Sequence, residues 1–386
     1  MSNKSNPEDR KRVLVLMAEF GYGHRSTAKA IAEALQETHG RDCAIEIINP
    51  LDDERAPAFL RKDQANYDRL VRKMPDLYKL GYQVSDRPVA SSLIKDTLTL
   101  LLFNVLREIV HQHQPDVIVC VYPVYPAILS EIFRLEKRRI PLVTVVTDLG
   151  VVHKLWFHPS SDLYLVPTQT VFDQAVEAGL PPEKVKITGL PVHPDLAKGK
   201  QDNASLRLSL GWRADLFTVL AVGSKRVKNL YDSLRVLNHS GLPLQLAVVA
   251  GGDDKLFQHL EEMDWHQEAH IYNFVVDMVP LMRAADCVLT KAGGLIVTEA
   301  LACCLPLILV DVIPGQETGN ADYVIAGNAG DLARDPIEVL EVMSHWLEKG
   351  GKLYKKRGQN ARHLGRPRAA YDVAELVWAA TMAPTK

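Results

Sequence analysis

Short apolar runs alternate with longer segments of helical periodicity along most of this chain. Such alternation is typical of parallel β-sheets whose strands are joined by crossover helices. In the first half we predict a helix over 26–38 and strands over 13–17, 45–48, 117–121, 142–146, 163–166 and 185–188. In the second half we predict strands over 217–221, 244–249, 271–274, 287–289 and 307–310. The predicted fold class is α/β, with two doubly wound Rossmann-like domains facing a cleft and ligands at the carboxyl ends of the strands.

A polar stretch near 190–208 separates the two series of strands. We predict an N-terminal domain over 1–195, which carries a mostly helical insertion over 52–114; the family resemblance described below implies that this domain binds the acceptor substrate. The C-terminal domain is predicted over 196–386, and its glycine turns, described below, mark it as the nucleotide-binding half. The sequence leaves open whether the last helix, about 368–380, stays with this domain or packs back on the first.

Charge and cysteine content narrow the classes of partner and compartment. The 45 basic and 47 acidic residues give a net charge of −2, so we predict no nucleic-acid partner. Five cysteines form no CxxC pair, which predicts reduced, intracellular thiols. The polar first residues predict no secretory signal peptide. The apolar stretch 93–110 is broken by charged residues and falls short of the ~20 residues of a membrane span.

A histidine follows a glycine turn between the first predicted strand and its helix, in the order Phe20-Gly21-Tyr22-Gly23-His24. Glycines at 21 and 23 let the backbone approach a ligand closely. The positive end of a helix disfavours a protonated imidazole, so a neutral His24 is suited to act as a general base near pH 7. On local sequence alone, a helix-capping role explains His24 equally well.

Two polar loops follow neighbouring strands of the second domain. In the first, Gly293 and Gly294 precede a helix and can present backbone amides to a diphosphate. Thr298 and Glu299 lie in the first turn and a half of that helix, where a carboxylate can accept hydrogen bonds from ribose hydroxyls. The second loop offers donors and acceptors of the kind that sugar hydroxyls require, from Gln316, Glu317 and Asn320.

The segment over 291–325, KAGGLIVTEALACCLPLILVDVIPGQETGNADYVI, resembles the nucleotide-sugar-binding segment of the monogalactosyldiacylglycerol synthase and processive diacylglycerol glucosyltransferase family. The resemblance extends over about 12–330 and includes Thr147-Asp148, His153, Trp156 and the run over 188–192. It implies the two-domain GT-B glycosyltransferase fold. The lipid II N-acetylglucosaminyltransferase of cell-wall synthesis is a more distant relative with a similar glycine-histidine loop.

The resemblance also implies roles for individual residues. Gly293 and Gly294 would hold the diphosphate of a UDP-sugar, with Thr298 beside it and Glu299 on the ribose. Either His24 or Asp148 would take the proton of the acceptor, and His153 would lie nearby. The remaining contacts would be made to the donor sugar by Gln316, Glu317 and Asn320, and to the uracil by the backbone of Phe274 and Val275.

Two stretches depart from the family pattern. The family often has Lys-Pro-Gly-Gly where this chain has Lys291-Ala292-Gly293-Gly294, and alanine keeps both glycines. The first strand of the second domain usually leads into a glycine-rich loop, whereas here Gly223 is followed by Ser224, Lys225 and Arg226. Lys225 can replace an amide contact with charge, but a changed donor or a lower activity is an equally open consequence.

The resemblance and the residues together predict an inverting glycosyltransferase that moves glucose or galactose from a UDP-hexose to diacylglycerol. We expect no cofactor and no metal, since no Asp-x-Asp motif or zinc-ligand spacing is present. Three alternatives stay open at this point: a transferase for another lipid acceptor such as lipid II, a UDP-sugar epimerase, and a non-catalytic sensor of nucleotide or lipid.

A basic and aromatic segment within the insertion raises the question of a membrane. Residues 61–82 interleave Arg and Lys with Tyr, Leu and Met, which suits anionic lipid headgroups. The sequence alone favours an ordinary solvated helix face, whereas the implied lipid acceptor favours an anionic membrane surface as a partner. We therefore expect a cytoplasmic protein, peripheral on the inner face of the cell membrane.

Overall fold

A computed structural model describes residues 10–19, 22–58, 88–199, 202–313 and 317–382. The chain divides into two structural units, Met1–Pro194 with Arg368–Lys386, and Asp195–Pro367. The C-terminal helix, Ala369–Thr381, therefore belongs to the first unit. Each unit is described separately below.

The described part of the first unit contains a six-stranded parallel sheet in the order β2-β1-β3-β4-β5-β6. Its strands are β1 Lys11–Leu16, β2 Cys43–Ile48, β3 Val117–Cys120, β4 Leu142–Val145, β5 Leu163–Val166 and β6 Val185–Ile187. In register, Val13 of β1 faces Ile45 on one side and Val117 on the other. The strand order thus reverses between β1 and β3, which makes their carboxyl ends the topological switch point of this sheet.

Helices cover both faces of the first sheet, which explains why its central strands are continuous apolar runs. They are α1 Tyr22–His39, α2 Pro88–His113, α3 Tyr125–Glu136, α4 Gln169–Glu177 and the C-terminal helix, with single 3₁₀ turns at Pro50–Asp52, Lys154–Phe157 and Pro182–Lys184. Val15 packs on one face with α1 and the C-terminal helix, through Ile31 and Val377. Leu16 packs on the other face, with Leu106 of α2 among its neighbours.

The described part of the second unit contains another six-stranded parallel sheet, in the order β12-β11-β10-β7-β8-β9. Its switch point lies between β7 and β10. The strands are β7 Phe217–Val222, β8 Leu244–Val249, β9 Glu268–Tyr272, β10 Cys287–Lys291, β11 Leu307–Asp311 and β12 Gly330–Leu332. The helices are α5 Asn203–Ser209, α6 Leu230–Asn238, α7 Asp254–Glu261, α8 Val279–Ala284, α9 Gly294–Ala302, α10 Thr318–Ala326 and α11 Pro336–Leu364, with a 3₁₀ turn at Pro194–Ala197. Non-helical backbone at 348–351 kinks α11.

The buried side chain of Arg207 links residues that precede or begin β7 and β10 in the second sheet. The Arg207 side chain, on α5, is 8% exposed and pairs with Asp286 at 2.7 Å. Its guanidinium also donates to the carbonyl oxygens of Ala284 and Leu216. The same Asp286 carboxylate accepts the backbone N–H of Thr218, on β7. Arg207 thus donates to carbonyl oxygens at the end of α8 and just before β7.

The prediction of two Rossmann-like α/β domains is confirmed. Two strands differ from the prediction: β12, over three residues, was not predicted, and β9 begins at 268 rather than 271. Both lie at sheet edges and are partly exposed, so their sequences lack the apolar run that marks a central strand. The basic segment 61–82 lies outside the described residues. Among the helices that the structure describes, none is both long and apolar enough to cross a bilayer.

Candidate active site

His24 lies at the switch point of the first sheet, in the first turn of α1. Its Nδ1 is 3.2 Å from the hydroxyl oxygen of Thr147, which follows β4. The edge of Tyr122, which follows β3, lies against the imidazole at 5.5 Å between ring centroids, and Trp156 is at 6.2 Å. The imidazole thus meets groups from the two connections that follow β3 and β4, so its position depends on the tertiary fold and not on α1 alone.

The same surroundings control the charge of His24. Burial lowers the pKa of His24 to about 4, and a hydrogen bond to the backbone of Val121 offsets part of that effect. A group with that pKa is neutral near pH 7 and can accept a proton. Because Thr147 and Val121 both lie outside α1, these contacts hold the imidazole from other parts of the first unit.

Of the other residues predicted in the first unit, Asp148 comes directly after Thr147 and is half-buried. His153 precedes the 3₁₀ turn at Lys154–Phe157, and its Nδ1 accepts the backbone N–H of Leu155. An accepting Nδ1 leaves the ring proton of neutral His153 on Nε2. Gly23 has no atoms within 4 Å of the place where a Cβ would be, and Gly21 lies outside the described residues.

The glycine turn of the second unit caps helix α9, as predicted for a diphosphate site. Gly293 is the N-cap residue, and its own N–H donates to the carbonyl oxygen of Lys291 at 2.9 Å. The amides without intrahelical acceptors are those of the first turn, which begins with Gly294. The Thr298 hydroxyl donates to the carbonyl oxygen of Gly294 at 2.7 Å. An anion at this turn would therefore meet amides that follow Gly293.

Two of the residues predicted to contact the donor sugar, Glu317 and Asn320, link two loops of the second unit. Glu317 is 4% exposed, forms an ion pair with Lys291, and accepts the N–H of Ile313 at 3.1 Å. Asn320 is 1% exposed and donates to the carbonyl oxygen of Ala292 at 3.1 Å. Both side chains hold the segment after β11 against the glycine turn after β10. Gln316, the third residue of this set, lies outside the described residues.

Glu299 lies on the second turn of α9, partly shielded from solvent. Burial, assisted by the nearby charge of Asp277, raises the pKa of Glu299 to about 8. In the ligand-free protein this carboxyl group is therefore mostly protonated at pH 7. Hydrogen bonds from two hydroxyl groups would stabilise the ionised form, so a ribose at this position and the loss of a proton are thermodynamically linked.

The glycine-poor loop follows β7, at the switch point of the second sheet. A Cβ on Gly223 would lie 2.9 Å from a Leu256 methyl group, so a side chain here would require Leu256 to shift. The Asp311 carboxylate accepts the backbone N–H groups of Lys228 and Asn229, at 2.7 and 3.1 Å, and so ties this loop to β11. Lys225 is exposed on the loop.

Sequence reasoning missed a second glycine pair beside this loop. Gly251 and Gly252 follow β8 with φ of +66° and +77°, which side-chain-bearing residues rarely adopt. A glycine pair directly after a buried strand was the signal used at 293–294, and it would have found this pair too. Beyond Gly252, the Phe274 side chain is 54% exposed and Val275 is half-buried, so an accessible aromatic ring lies next to the predicted uracil position.

The described residues show no group of three or more His, Cys, Asp or Glu side chains placed to hold a metal ion. Sequence reasoning missed Tyr122 and assigned no role to Thr147 or Lys291, although all three contact predicted residues. Tyr122 lies in no quoted motif, whereas Thr147 and Lys291 lie in segments that carry the family resemblance.

Sequence comparison identifies close relatives over almost the whole chain. Residues 24–192 match the family described as Monogalactosyldiacylglycerol (MGDG) synthase, and residues 210–364 match Glycosyl transferases group 1. The chloroplastic monogalactosyldiacylglycerol synthase of Spinacia oleracea is 34% identical, over 97% of this chain and 74% of its own length. The chloroplastic synthase 1 of Arabidopsis thaliana is 31% identical, over 95% and 71%.

Solved structures resemble the fold at low sequence identity. MurG of Acinetobacter baumannii has a TM-score of 0.60 at 15% identity, covering 96% of this chain and 99% of that one. The UDP-GlcNAc 2-epimerase of Neisseria meningitidis has a TM-score of 0.63 at 15% identity, covering 95% and 100%. CalG4, the calicheamicin glycosyltransferase, has a TM-score of 0.60 at 14% identity, covering 97% and 100%. Transferases and an epimerase share this GT-B fold, so the fold alone does not choose between them.

The relatives correct one prediction and establish the family. The expected location, cytoplasmic and peripheral on the inner face of the cell membrane, is wrong, because the matching synthases are chloroplastic proteins and point to an organellar membrane. The predicted family, fold and enzyme class are confirmed by matches that run through both structural units. This chain is a glycosyltransferase that belongs to the monogalactosyldiacylglycerol synthase family.

Proposed function

We propose that this protein transfers galactose, with inversion, from UDP-galactose to the free hydroxyl of diacylglycerol. The names of the relatives supply the sugar and the lipid. The amide-bearing start of α9, the accessible ring of Phe274 and the carboxyl group of Glu299 support a uridine diphosphate donor. We propose galactose rather than glucose because the relatives are named as monogalactosyldiacylglycerol synthases; the described contacts fit either hexose.

The observation that carries the reaction is a neutral imidazole at the switch point of the first sheet. His24 takes the proton of the acceptor hydroxyl as that oxygen forms a bond to the anomeric carbon. The bond between the anomeric carbon and the diphosphate oxygen breaks, and its electron pair leaves with UDP. A single displacement of this kind inverts the anomeric configuration and gives a β-linked product from an α-linked donor.

The low pKa of His24 keeps the base unprotonated but also makes it weak. The anionic charge of the reacting donor favours the protonated imidazole and so raises its basicity when the donor is bound. Asp148 is the alternative base, because it follows the Thr147 residue that contacts the His24 ring. His153 is placed as a hydrogen-bond donor through Nε2.

The negative charge that develops on UDP is stabilised without a metal in this proposal. The first-turn amides of α9 and the dipole of that helix face the diphosphate. Lys225, exposed on the loop after β7, supplies positive charge near the same switch point. Activity should therefore survive exhaustive treatment with a chelator.

An anionic membrane surface is the proposed source of the lipid acceptor. The exposed apolar side chains of the first unit include Leu100 on α2 at 82% and Val151 after β4 at 64%. Val151 lies on the same loop as His153, and the neighbouring Lys154 is exposed and basic. Exposed apolar side chains beside basic ones are typical of proteins that dock on anionic lipids.

Mass spectrometry of extracted lipids tests the proposed reaction. The protein is incubated with diacylglycerol in phosphatidylglycerol vesicles and with UDP-galactose, UDP-glucose or UDP-N-acetylglucosamine in separate tubes, with and without EDTA. The expected product is β-galactosyldiacylglycerol from UDP-galactose, in both the presence and the absence of EDTA. Donor conversion without acceptor would identify an epimerase, and UDP binding with no product from any donor would identify a sensor.

A further inference from the structure

Lys291 is the last residue of β10 and lies beside the glycine turn without a role in the reaction described above. Its side chain is 15% exposed and forms an ion pair with Glu317, whose side chain is 6% exposed. The second oxygen of Glu317 accepts the backbone N–H of Ile313. Both carboxylate oxygens of Glu317 therefore have partners, and one of them holds the lysine ammonium.

The ammonium occupies the space next to the N-cap of α9. A Cβ on Gly293 would lie 2.9 Å from Lys291 Nζ and 3.7 Å from Glu317 Oε1. Gly293 has ordinary extended backbone angles, with φ −69° and ψ 135°, so its backbone does not demand glycine. The missing side chain instead makes room for the charged amine at the start of the helix.

A cation in this position is unfavourable by itself. The N-terminus of a helix carries partial positive charge, and lysine is normally stabilising at the opposite end. Glu317 offsets that repulsion in the ligand-free protein. The pair with Glu317 uses one of the three N–H donors of Nζ, which leaves donors for a second anion. The dipole, the amides and the ammonium all favour negative charge at the same point.

We propose that Lys291 contacts the diphosphate of the nucleotide donor, and that Glu317 is the positioning residue that holds Lys291 beside the helix; this inference rests on the proposed function. During transfer, the electron pair of the broken anomeric bond moves to the diphosphate oxygen, and the Lys291 ammonium stabilises that charge. Glu317 acts on the donor through Lys291, since its own oxygens are occupied.

Binding of UDP and uridine to variants of Lys291 separates a diphosphate contact from a structural tie. Isothermal titration should show that Lys291→Met weakens UDP binding about tenfold to a hundredfold, the range for a lost charge-assisted hydrogen bond, and changes uridine binding by less than about twofold. Lys291→Arg keeps the charge and should restore most of the UDP affinity. Lys352→Met, on α11, removes one exposed lysine from the same unit and should change neither affinity.

The role of Glu317 is tested by a double-variant cycle. Glu317→Gln should weaken UDP binding in the wild-type background and have no further effect in the Lys291→Met background. The double variant also removes the buried pair without leaving a lone charge, so thermal unfolding of all variants shows whether the second unit stays folded. With UDP-galactose, Lys291→Met should lower kcat more than it raises KM, because the leaving-group charge grows in the transition state.

The outcomes distinguish this inference from the proposed function. Equal losses of UDP and uridine affinity, or a Glu317→Gln effect that persists without Lys291, would overturn the diphosphate contact and leave the pair as a tie between loops. Failure of the wild-type protein to bind UDP would overturn the proposed function, and this inference with it. UDP binding that depends on Lys291 without lipid glycosylation would support the contact and reject only the acceptor.

Discussion

We expect nucleotide binding to depend on pH, because the pKa of the Glu299 carboxyl group is raised. Burial and the charge of Asp277 raise the pKa of Glu299 to about 8 in the ligand-free protein. If the ionised carboxylate accepts hydrogen bonds from the ribose, binding must first remove a proton below that pH. The affinity for UDP should therefore rise as the pH rises towards 8 and level off above it.

The magnitude follows from the fraction of Glu299 that is ionised. With a pKa of about 8, about one carboxyl group in eleven is ionised at pH 7, against about nine in ten at pH 9. The apparent affinity for UDP should thus increase about tenfold over this interval. The contribution of Glu299 to the free energy of unfolding changes with pH in the opposite direction. The raised pKa favours folding below pH 4.5, and that contribution is lost as the pH rises to about 8. Because the group is partly exposed, we expect a loss of roughly 2 kcal/mol.

Titration of UDP at half-unit steps between pH 7 and 9 measures the effect, with Glu299→Gln as the matched control. The glutamine variant keeps the side-chain shape and experiences the same titration of UDP itself, so the ratio of the two affinities isolates Glu299. Asp277→Asn removes the neighbouring like charge and should move the midpoint to lower pH. A ratio that stays constant from pH 7 to 9 would refute the assignment of Glu299 to the ribose, because no proton would then be released on binding.

Three further predictions address the base, the core and the membrane. His24→Ala should lower kcat by about 10²–10⁴ in steady-state kinetics and leave UDP affinity nearly unchanged; if affinity alone falls, Asp148 is the better base. Arg207→Met should cost about 3–5 kcal/mol in urea unfolding, since it removes the buried cation that pairs with the partly buried Asp286 carboxylate, and an unchanged midpoint would contradict that account. Leu100→Glu should reduce sedimentation with phosphatidylglycerol vesicles severalfold, whereas Leu208→Glu, at a leucine that is also exposed but lies on the second unit, should not; equal binding of both variants would exclude α2 from the docking surface.

The architecture was predictable from the sequence because the central strands are buried on both faces. The apolar runs over 13–16 in β1 and over 246–249 in β8 are each followed by a segment of helical period. Strand β12 escaped prediction because three residues at a sheet edge carry no such run. The edge strand β9 was placed late because its first residues, Glu268 to His270, include two polar side chains.

The candidate site was predictable only where its signal is local. Glycine turns between strand and helix identified the positions of His24 and Gly293, since a tight turn before a helix has a sequence signature. The residues that contact them carry no such sequence signature. Thr147 is 123 positions from His24, and Asp311 is 82 positions from Asn229, so both contacts exist only after the strands have paired. Register and strand order, rather than local pattern, bring them together.

Glu317 shows what residue type alone does not reveal about the loop after β11. Gln316, Glu317 and Asn320 were grouped because their side chains all suit sugar hydroxyls. Charge distinguishes Glu317, since an unpaired carboxylate at 4% exposure would be strongly destabilising and Glu317 must therefore have a cationic partner. The nearest cation that the fold supplies is Lys291, at the diphosphate turn. The ion pair that compensates the buried carboxylate thus connects the loop predicted to hold the sugar with the turn predicted to hold the diphosphate. Substituting either residue of the pair should therefore alter the contacts of both segments with the donor.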